Sequence, residues 1–568
     1  MRWLKRVLDD PSHKRGVRGW RWVIAQGASQ WLPPALLDDP GAFLLRNSPQ
    51  RPLKESPVRT AFIILGPKGD LFLKHYKIRD FTERWKYLVV PSKARKEWQM
   101  AQQALAKGIL TPVPLAMAER RKRRLLQDAL LITQAIVPSA PLIELIPAGG
   151  HKELFFQAAA LLSEAHEAGL FHQDLHTGNI LVGMADKKLY LIDLHRSRFL
   201  GSVSRRRRIW NLAQFFYSLQ AWLSPDDKMA FLQQYDEEQD ILKGRLEQGL
   251  KEIERQEQRI HRRHMRSRTK RCLKQSGGFS LAKEDGWQIW GRRGWKPQGL
   301  LKIVTRHRAI VDKGKEGLIK SDCRTAITLF NYKETRLCVK EYRYPGPWQS
   351  WKELFRRSKG RKGWLMGNGL VVRGIGGIIP QALLERRERG LLKEAFLIME
   401  TPPGYVELDR YWVMAFAAQR EDTRREAFLD AFAGFMAHLF LQGIIHRDLK
   451  TCNIMVQEGQ DTWHFGLVDM DDVRLDKKID RRRFLKELVQ LHTSTPLFIE
   501  MSDRMRFLTR YLRLIGRDDI REITREVIKG SRGRQLVYVA PDGDVIMDVD
   551  WQGLCGPDLQ PPLPKEDV

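Results

Sequence analysis

Apolar positions along the first half of the chain mark a series of short strands and helices. Thr60-Ala61-Phe62-Ile63-Ile64-Leu65 is followed by a turn at Gly66-Pro67-Lys68-Gly69-Asp70 and by Leu71-Phe72-Leu73-Lys74-His75-Tyr76, which predicts a β-hairpin. Ser92-Lys93-Ala94-Arg95-Lys96-Glu97-Trp98-Gln99-Met100-Ala101 predicts a helix with a serine cap, ending near Gly108. Leu130-Leu131-Ile132-Thr133-Gln134-Ala135-Ile136 predicts a buried strand leading to a hinge between lobes. A helix is expected from Glu153 to about Ala168. Two short apolar strands then follow, Ile180-Leu181-Val182 and Leu189-Tyr190-Leu191-Ile192. Arg205 to Arg208 precede a buried helical segment, Ile209 to Phe216, and residues 226–274 read as long helix, mixed in charge and then basic.

The second half runs through the same series. Arg324-Thr325-Ala326-Ile327-Thr328-Leu329-Phe330 echoes Arg59 to Leu65, and Leu337-Cys338-Val339-Lys340-Glu341-Tyr342 echoes Leu71 to Tyr76. Ser358-Lys359-Gly360-Arg361-Lys362-Gly363-Trp364 echoes Ser92 to Trp98, again 18 residues after the lysine. Phe396 to Glu400 matches the hinge strand, and Arg481-Arg482-Arg483 matches the basic helix start. A repeat of this length means duplicated whole domains rather than a solenoid. The boundaries expected are a basic, tryptophan-rich segment 1–50, a first domain 51–240, a basic helical linker 241–299, a second domain 300–530, and a C-terminal hairpin with a Pro-rich tail, 531–568.

Composition adds one anomaly. The 568 residues carry a net charge of +30, a field that attracts nucleic acid, acidic lipid headgroups or phosphorylated sugars. Five scattered cysteines without Cys-x-x-Cys spacing argue against a disulfide framework or zinc site and fit a reducing compartment. No run long enough for a transmembrane helix and no signal-peptide core are present, so a cytoplasmic protein is expected. Trp3, Trp20, Trp22 and Trp31 among many cations suit either a segment lying on anionic lipid or a helix packed on the next domain. The basic run Arg259 to Lys274 reads either as an anionic-surface patch or as a solvated helix.

The chemistry sits in two copies of one stretch. Phe171-His172-Gln173-Asp174-Leu175-His176-Thr177-Gly178-Asn179 and Ile445-His446-Arg447-Asp448-Leu449-Lys450-Thr451-Cys452-Asn453 are both His-x-Asp-Leu-x-Thr-x-Asn. In this spacing an Asp takes the proton of a substrate hydroxyl and an Asn holds a metal ion on nucleotide phosphates. Asp174 and Asp448 are therefore the candidate catalytic residues. Asn179 with Asp193, and Asn453 with Asp469, are the candidate metal ligands, each Asp closing a short apolar strand. Lys74 and Lys340, cations in apolar strands, are candidate phosphate contacts, and Glu97, 23 residues after Lys74, is the expected partner of Lys74. The position aligned with Glu97 in the second copy is Gly363, which leaves Lys340 without that partner unless Glu341 or Glu353 substitutes.

These residues resemble the protein-kinase-like fold. No Gly-x-Gly-x-x-Gly loop precedes either lysine, Asp193 and Asp469 are followed by Leu194-His195 and Met470-Asp471 rather than Phe-Gly, and no Ala-Pro-Glu lies downstream. With the basic helix after each metal Asp, these departures resemble the lipopolysaccharide kinases of the Kdo/WaaP family, over roughly residues 50–240 and 300–510. The resemblance implies an α+β fold of two tandem bilobal domains, each with a small β-rich lobe and a helical lobe. It further implies transfer of phosphate from ATP, with Mg2+, to a heptose or Kdo hydroxyl of the lipopolysaccharide core, on the cytoplasmic face of a bacterial inner membrane. The partners expected are that glycolipid and an anionic membrane surface. No nucleic-acid reader motif is present, and oligomeric state is open. A kinase of proteins or small molecules, and a kinase paired with a pseudokinase or glycolipid-binding scaffold domain, are the alternatives.

Overall fold

The computed structural model describes residues 13–47, 54–56, 58–146, 152–236, 245–314, 316–344, 358–416, 422–460, 462–496, 499–534, 536–539 and 545–549. The chain divides into two compact units, Met1–His261 and Arg262–Val568, and each is described by itself.

In the first unit an antiparallel sheet is built from β1 (His13–Val17), β2 (Trp20–Ile24), β3 (Lys54–Ser56), β4 (Arg59–Gly66), β5 (Gly69–Lys77), β6 (Pro114–Lys122) and β7 (Leu125–Gln134). Their order across the sheet is β1-β2-β6-β7-β5-β4-β3. Leu126, Ala129, Leu130, Leu131 and Ile132 of the central β7 are all buried, the near-continuous apolar run of a strand covered on both faces. Helix Lys93–Ala106 packs Ala94 and Trp98 into this core, and Trp22, Leu32 and Leu36 enter the same cluster. Trp20 and Trp22 thus lie in a strand, 3% and 1% exposed, and belong to the sheet rather than to a lipid-facing helix. Trp3 is outside the described residues. The sheet therefore reaches well upstream of the start expected at residue 51.

A helical lobe completes the unit. Helices Lys152–Glu167, Arg205–Ser218 and Pro225–Asp236 enclose a core in which Phe155, Phe215 and Phe216 pack at tilted or edge-on angles around Phe231. Against it lie two small ladders. β10 (Ile180–Gly183) pairs with both β8 (Ser139–Pro141) and β11 (Leu189–Leu191), and β9 (Leu170–His172) pairs with β12 (Ser197–Phe199). The loop carrying Asp174 and Asn179 runs between β9 and β10.

The second unit repeats this plan. Its sheet has the order β13-β14-β18-β19-β17-β16-β15, from β13 (Phe279–Glu284), β14 (Trp287–Arg292), β15 (Leu318–Ser321), β16 (Thr325–Tyr332), β17 (Thr335–Arg343), β18 (Ile379–Glu388) and β19 (Leu391–Glu400). The first two strands fall where the sequence suggested a helical linker. Trp287, Ile289 and Trp290 bury there among cations that mask the apolar pattern. Helix Leu246–Thr269 is the helical part of that stretch. In the helical lobe, β20 (Tyr405–Glu407), β22 (Ile454–Glu458) and β23 (Trp463–Leu467) form one ladder, and β21 (Ile445–His446) pairs with β24 (Val473–Arg474). Helices Asp422–Leu441, Arg481–Ser494, Met501–Leu514 and Ile520–Ser531 surround a core rich in aromatic rings. A hairpin, β25 (Leu536–Val539) with β26 (Val545–Val549), follows, and residues 550–568 lie outside the described residues. Among the described residues no helix is long and apolar enough to cross a membrane.

One contact between the lobes of the second unit depends on missing side chains. Gly376 and Gly466 form a parallel bridge, and a Cβ on Gly466 would lie 2.5 Å from the Gly376 carbonyl oxygen and 2.6 Å from the Gly377 nitrogen. Gly466→Ala is expected to cost about 1–3 kcal/mol through this overpacking. Gly434→Ala, in open space within helix Asp422–Leu441, is expected to stabilise by up to about 1 kcal/mol. Denaturant unfolding of the full chain checks both, and equal effects would show that the backbone approach at Gly466 is not tight.

Candidate active site

In the first unit β5 carries Lys74 into the protein, where its side chain is 11% exposed. An ammonium removed from water requires countercharge. Helix Lys93–Ala106 supplies it. Ser92 caps the helix by accepting from the Arg95 N–H at 3.1 Å, and the helix turns Glu97 inward beside Ala94, Trp98 and Ala101. Lys74 Nζ donates to Glu97 Oε1 at 2.6 Å and to Asp193 Oδ1 at 3.3 Å. Tyr76, two residues along the same strand face, donates to Glu97 Oε2 at 2.9 Å. Burial opposes the charge on Lys74, but Glu97 and Asp193 outweigh it, and its pKa is raised. Tyr76 is held well above its ordinary pKa by burial and by Glu97.

Asp193 follows β11 in the left-handed region, φ 62°, a conformation Asp tolerates better than most residues and one often found at functional sites. Burial raises its pKa, yet the hydrogen bond from His195 Nδ1 at 2.9 Å and the charges of Lys74, His195 and Arg59 hold it well below the carboxylate range. Arg59 Nη1 stands 3.5 Å from Asp193 Oδ2. Glu97, Asp193 and His195 offer donor atoms within 4.8 Å of one another, and Lys74 already bonds the two carboxylates.

His172 fastens the Asp174–Asn179 loop to the segment that leads into Asp193. Its Nδ1 accepts from the Asp174 N–H at 3.2 Å, and its Nε2 pairs with the Ile192 carbonyl at 3.2 Å. Burial lowers its pKa and keeps the ring neutral. The Ile192 N–H donates to the Asn179 carbonyl at 3.0 Å, so loop and Asp193 strand are tied twice. Asn179 Nδ2 donates to the Asp174 carbonyl at 2.9 Å. That bond orients the side chain through one of its two amide N–H groups. The Asp174 carboxylate is 42% exposed and accepts from Arg196 Nη1 at 3.0 Å.

The second unit reproduces the ties. His446 Nε2 pairs with the Val468 carbonyl at 2.9 Å, the Asp448 N–H reaches His446 Nδ1 at 3.3 Å, and Asn453 Nδ2 donates to the Asp448 carbonyl at 2.8 Å. Asp469 is also left-handed, φ 53°. Near the Asp448 carboxylate stand Lys450 Nζ at 3.4 Å and Gln490 Nε2 at 3.5 Å.

The lysine partner differs. Lys340 Nζ is ion-paired with Asp469 and donates to Asp471 Oδ1 at 2.8 Å, while Tyr342 donates to the same oxygen at 3.3 Å. Asp471 thus does for Lys340 and Tyr342 what Glu97 does for Lys74 and Tyr76. Gly363 makes this packing possible. A Cβ there would meet Leu397 at 2.9 Å and the Tyr342 hydroxyl at 3.4 Å, with the Asp471 Cβ at 3.9 Å. Lys362 binds the Asp471 carbonyl and holds the turn in place. The substitutes expected from sequence are not used. Glu341 alternates to the opposite strand face and pairs with Arg343 at 2.8 Å, and Glu353 lies outside the described residues. Burial and Lys340 act in opposite directions on the two aspartates. Asp471 is lowered because the Lys340 charge prevails, and Asp469 is raised by burial and by its neighbour's carboxylate.

Lys74 is therefore bonded to Asp193 and Lys340 to Asp469, and Asn179 and Asn453 are bonded to the Asp174 and Asp448 carbonyls. Asp471, Tyr76, Tyr342 and the tethering role of the histidines were missed in the sequence. The signal for Asp471 was available as an acid two residues after Asp469, where the first copy has His195.

The model of the lipopolysaccharide kinase (Kdo/WaaP) family matches residues 72–235 and 372–511, more than half of the chain in two segments. No curated protein matches. A solved structure, WaaP in complex with acyl carrier protein, is 18% identical, with a TM-score of 0.32 over 44% of this chain and 96% of that one.

A half-buried acid behind the Asp448 loop makes stability depend on pH. Glu487 accepts from the His446 N–H at 2.9 Å, and burial, little offset by that bond, pushes its pKa from 4.5 to about 8. A raised folded-state pKa gives stability that is complete below the unfolded value and lost as pH rises through the folded one. Glu487→Gln keeps the acceptor and removes the titration. Its Tm is expected to match the wild type near pH 4 and to exceed it increasingly up to about pH 9, and a pH-independent difference would show that Glu487 is not held protonated.

Proposed function

The chain belongs to the lipopolysaccharide kinase (Kdo/WaaP) family, and on that premise we propose that both domains transfer phosphate from ATP to a sugar hydroxyl of the lipopolysaccharide inner core, a heptose or Kdo. The reading places the enzyme on the cytoplasmic face of the inner membrane, where the acceptor is made. The observation that supports it most is the recurrence, in both units, of a buried lysine bonded to the strand-terminal Asp beside a His-tethered Asp/Asn loop.

In this reading Lys74 and Lys340 bind the ATP phosphates, with Glu97 and Asp471 as positioning residues that aim the ammonium groups. Asp174 and Asp448 hold the acceptor hydroxyl and take its proton as its oxygen forms a bond to the γ-phosphorus and the bond to the β-γ bridging oxygen breaks. Asn179 with Asp193, and Asn453 with Asp469, offer the hard oxygen donors that Mg2+ prefers, and they would hold it against the phosphates. When bound, the ion neutralises phosphate charge; the side chains do the positioning. The scaffold reading of the second domain rested on Gly363, and Asp471 restores the carboxylate whose loss suggested it.

Two outcomes are expected. Asp174→Ala and Asp448→Ala each lower their own domain's phosphotransfer by about 10²–10⁴-fold, and the double variant abolishes transfer to core glycolipid while thermal unfolding is unchanged. Unaltered transfer by the double variant would remove the catalytic assignment. In the Asp174→Ala background, Asp471→Asn lowers kcat/KM by about 10²-fold with a raised KM for ATP and an unchanged KM for the acceptor. A Tm loss without the ATP-specific rise would make Asp471 structural only.

A further inference from the structure

Helix Phe81–Val89, between β5 and helix Lys93–Ala106, faces the wrong way for a core element. Its apolar residues recur at helical spacing, yet Phe81, Trp85, Leu88 and Val89 are 60%, 53%, 42% and 90% exposed, and Val90 beyond it is also exposed. Phe81 and Trp85 meet edge to face, centroids 6.0 Å apart, and Leu88 and Val89 follow at the next helical turn. The helix is held from its other side. Tyr87 is buried and donates to Glu83 at 3.1 Å, Glu83 pairs with Lys93, and Asp80 caps the helix start.

A basic hairpin adjoins the patch. Arg121 Nη1 donates to the Tyr87 carbonyl at 3.1 Å and ties the β6–β7 turn to the helix. Lys122, Arg123 and Arg124, all exposed, form the tip of that turn, and Arg79 and Lys86 are exposed on or beside the helix. The acids in the neighbourhood are engaged internally: Glu119 by Arg95 and Arg121, Asp128 by Arg120 and His75. The pattern also recurs in the sequence. Trp85-Lys86-Tyr87-Leu88-Val89 and Trp351-Lys352-Glu353-Leu354-Phe355 each begin 11 residues after the strand lysine.

We propose that helix Phe81–Val89 and the Arg121–Arg124 turn form a docking surface for an anionic lipid bilayer, the apolar stripe entering the headgroup region and the turn binding lipid phosphates. A few aromatic and aliphatic side chains flanked by cations suit shallow insertion. One short helix cannot bury the roughly 1,200 Å² that a stable protein interface needs. The inference rests on the proposed function for its purpose, bringing the cleft to a membrane-embedded acceptor, but vesicle binding is measured apart from transfer.

The test is co-sedimentation of the full chain with phosphatidylcholine vesicles, with and without phosphatidylglycerol. Wild type is expected to bind the anionic vesicles and to release on raising salt. Phe81→Ser/Trp85→Ser/Leu88→Ser/Val89→Ser and Lys122→Glu/Arg123→Glu/Arg124→Glu are each expected to bind at least about tenfold more weakly, with unchanged Tm and unchanged transfer to a soluble, deacylated core oligosaccharide. Either variant binding as wild type does, or equal salt-insensitive binding of wild type to neutral vesicles, overturns the proposal. So does self-association of wild type through the patch without vesicle binding. If wild type fails to phosphorylate the oligosaccharide, the proposed function falls while the vesicle result still decides the helix.

Discussion

Each domain is assembled around a lysine ammonium buried against carboxylates. Removing such a cation from water costs several kcal/mol unless opposite charge and hydrogen bonds surround it. Lys74 meets that condition through Glu97 and Asp193, and Lys340 through Asp469 and Asp471. The requirement joins three distant stretches of chain: a central sheet strand, the turn after the short strand of the helical lobe, and in the first unit the intervening helix. The His172 and His446 tethers then fix the His-x-Asp loop to that same turn. A kinase-like cleft follows from satisfying one buried charge on every side.

The two units reach the same electrostatic result with different residues. Glu97 has become Gly363, and His195 has become Asp471, so the carboxylate has moved from the helix to the turn. The tyrosine next to each lysine follows it, from Glu97 Oε2 to Asp471 Oδ1. Loss of the glutamate by itself reads as loss of function. Seen with its neighbours it is a relocation, because the helix now packs flush on Leu397 and Tyr342 where a longer side chain would collide. The environment of the paired loop aspartates differs as well, with Arg196 on Asp174 and Lys450 near Asp448.

Much of this was legible in the order of residues. The β4–β5 hairpin, the Ser92 and Ser358 caps, the short strands before Asp193 and Asp469, and the duplication all leave period and cap signals that local physics can read. The pairing of Lys74 with Glu97 was legible because a strand lysine and a helix acid recur at kinase spacing. Less legible were β1, β2, β13 and β14, short strands whose buried residues, among them Trp20, Trp22, Trp287, Ile289 and Trp290, are set among cations. The Asp471 substitution was invisible to alignment position by position, since the replacement acid comes from another element and only three-dimensional packing brings it to Lys340.

The central claim is that one chain holds two separate nucleotide clefts, each dependent on its own buried lysine. Calorimetric titration of the full chain with a nonhydrolysable ATP analogue and Mg2+ measures this directly. The account predicts two sites for the wild type, one for Lys74→Met, one for Lys340→Met and none for the pair. A wild-type stoichiometry of one, or a stoichiometry indifferent to either lysine, would contradict it.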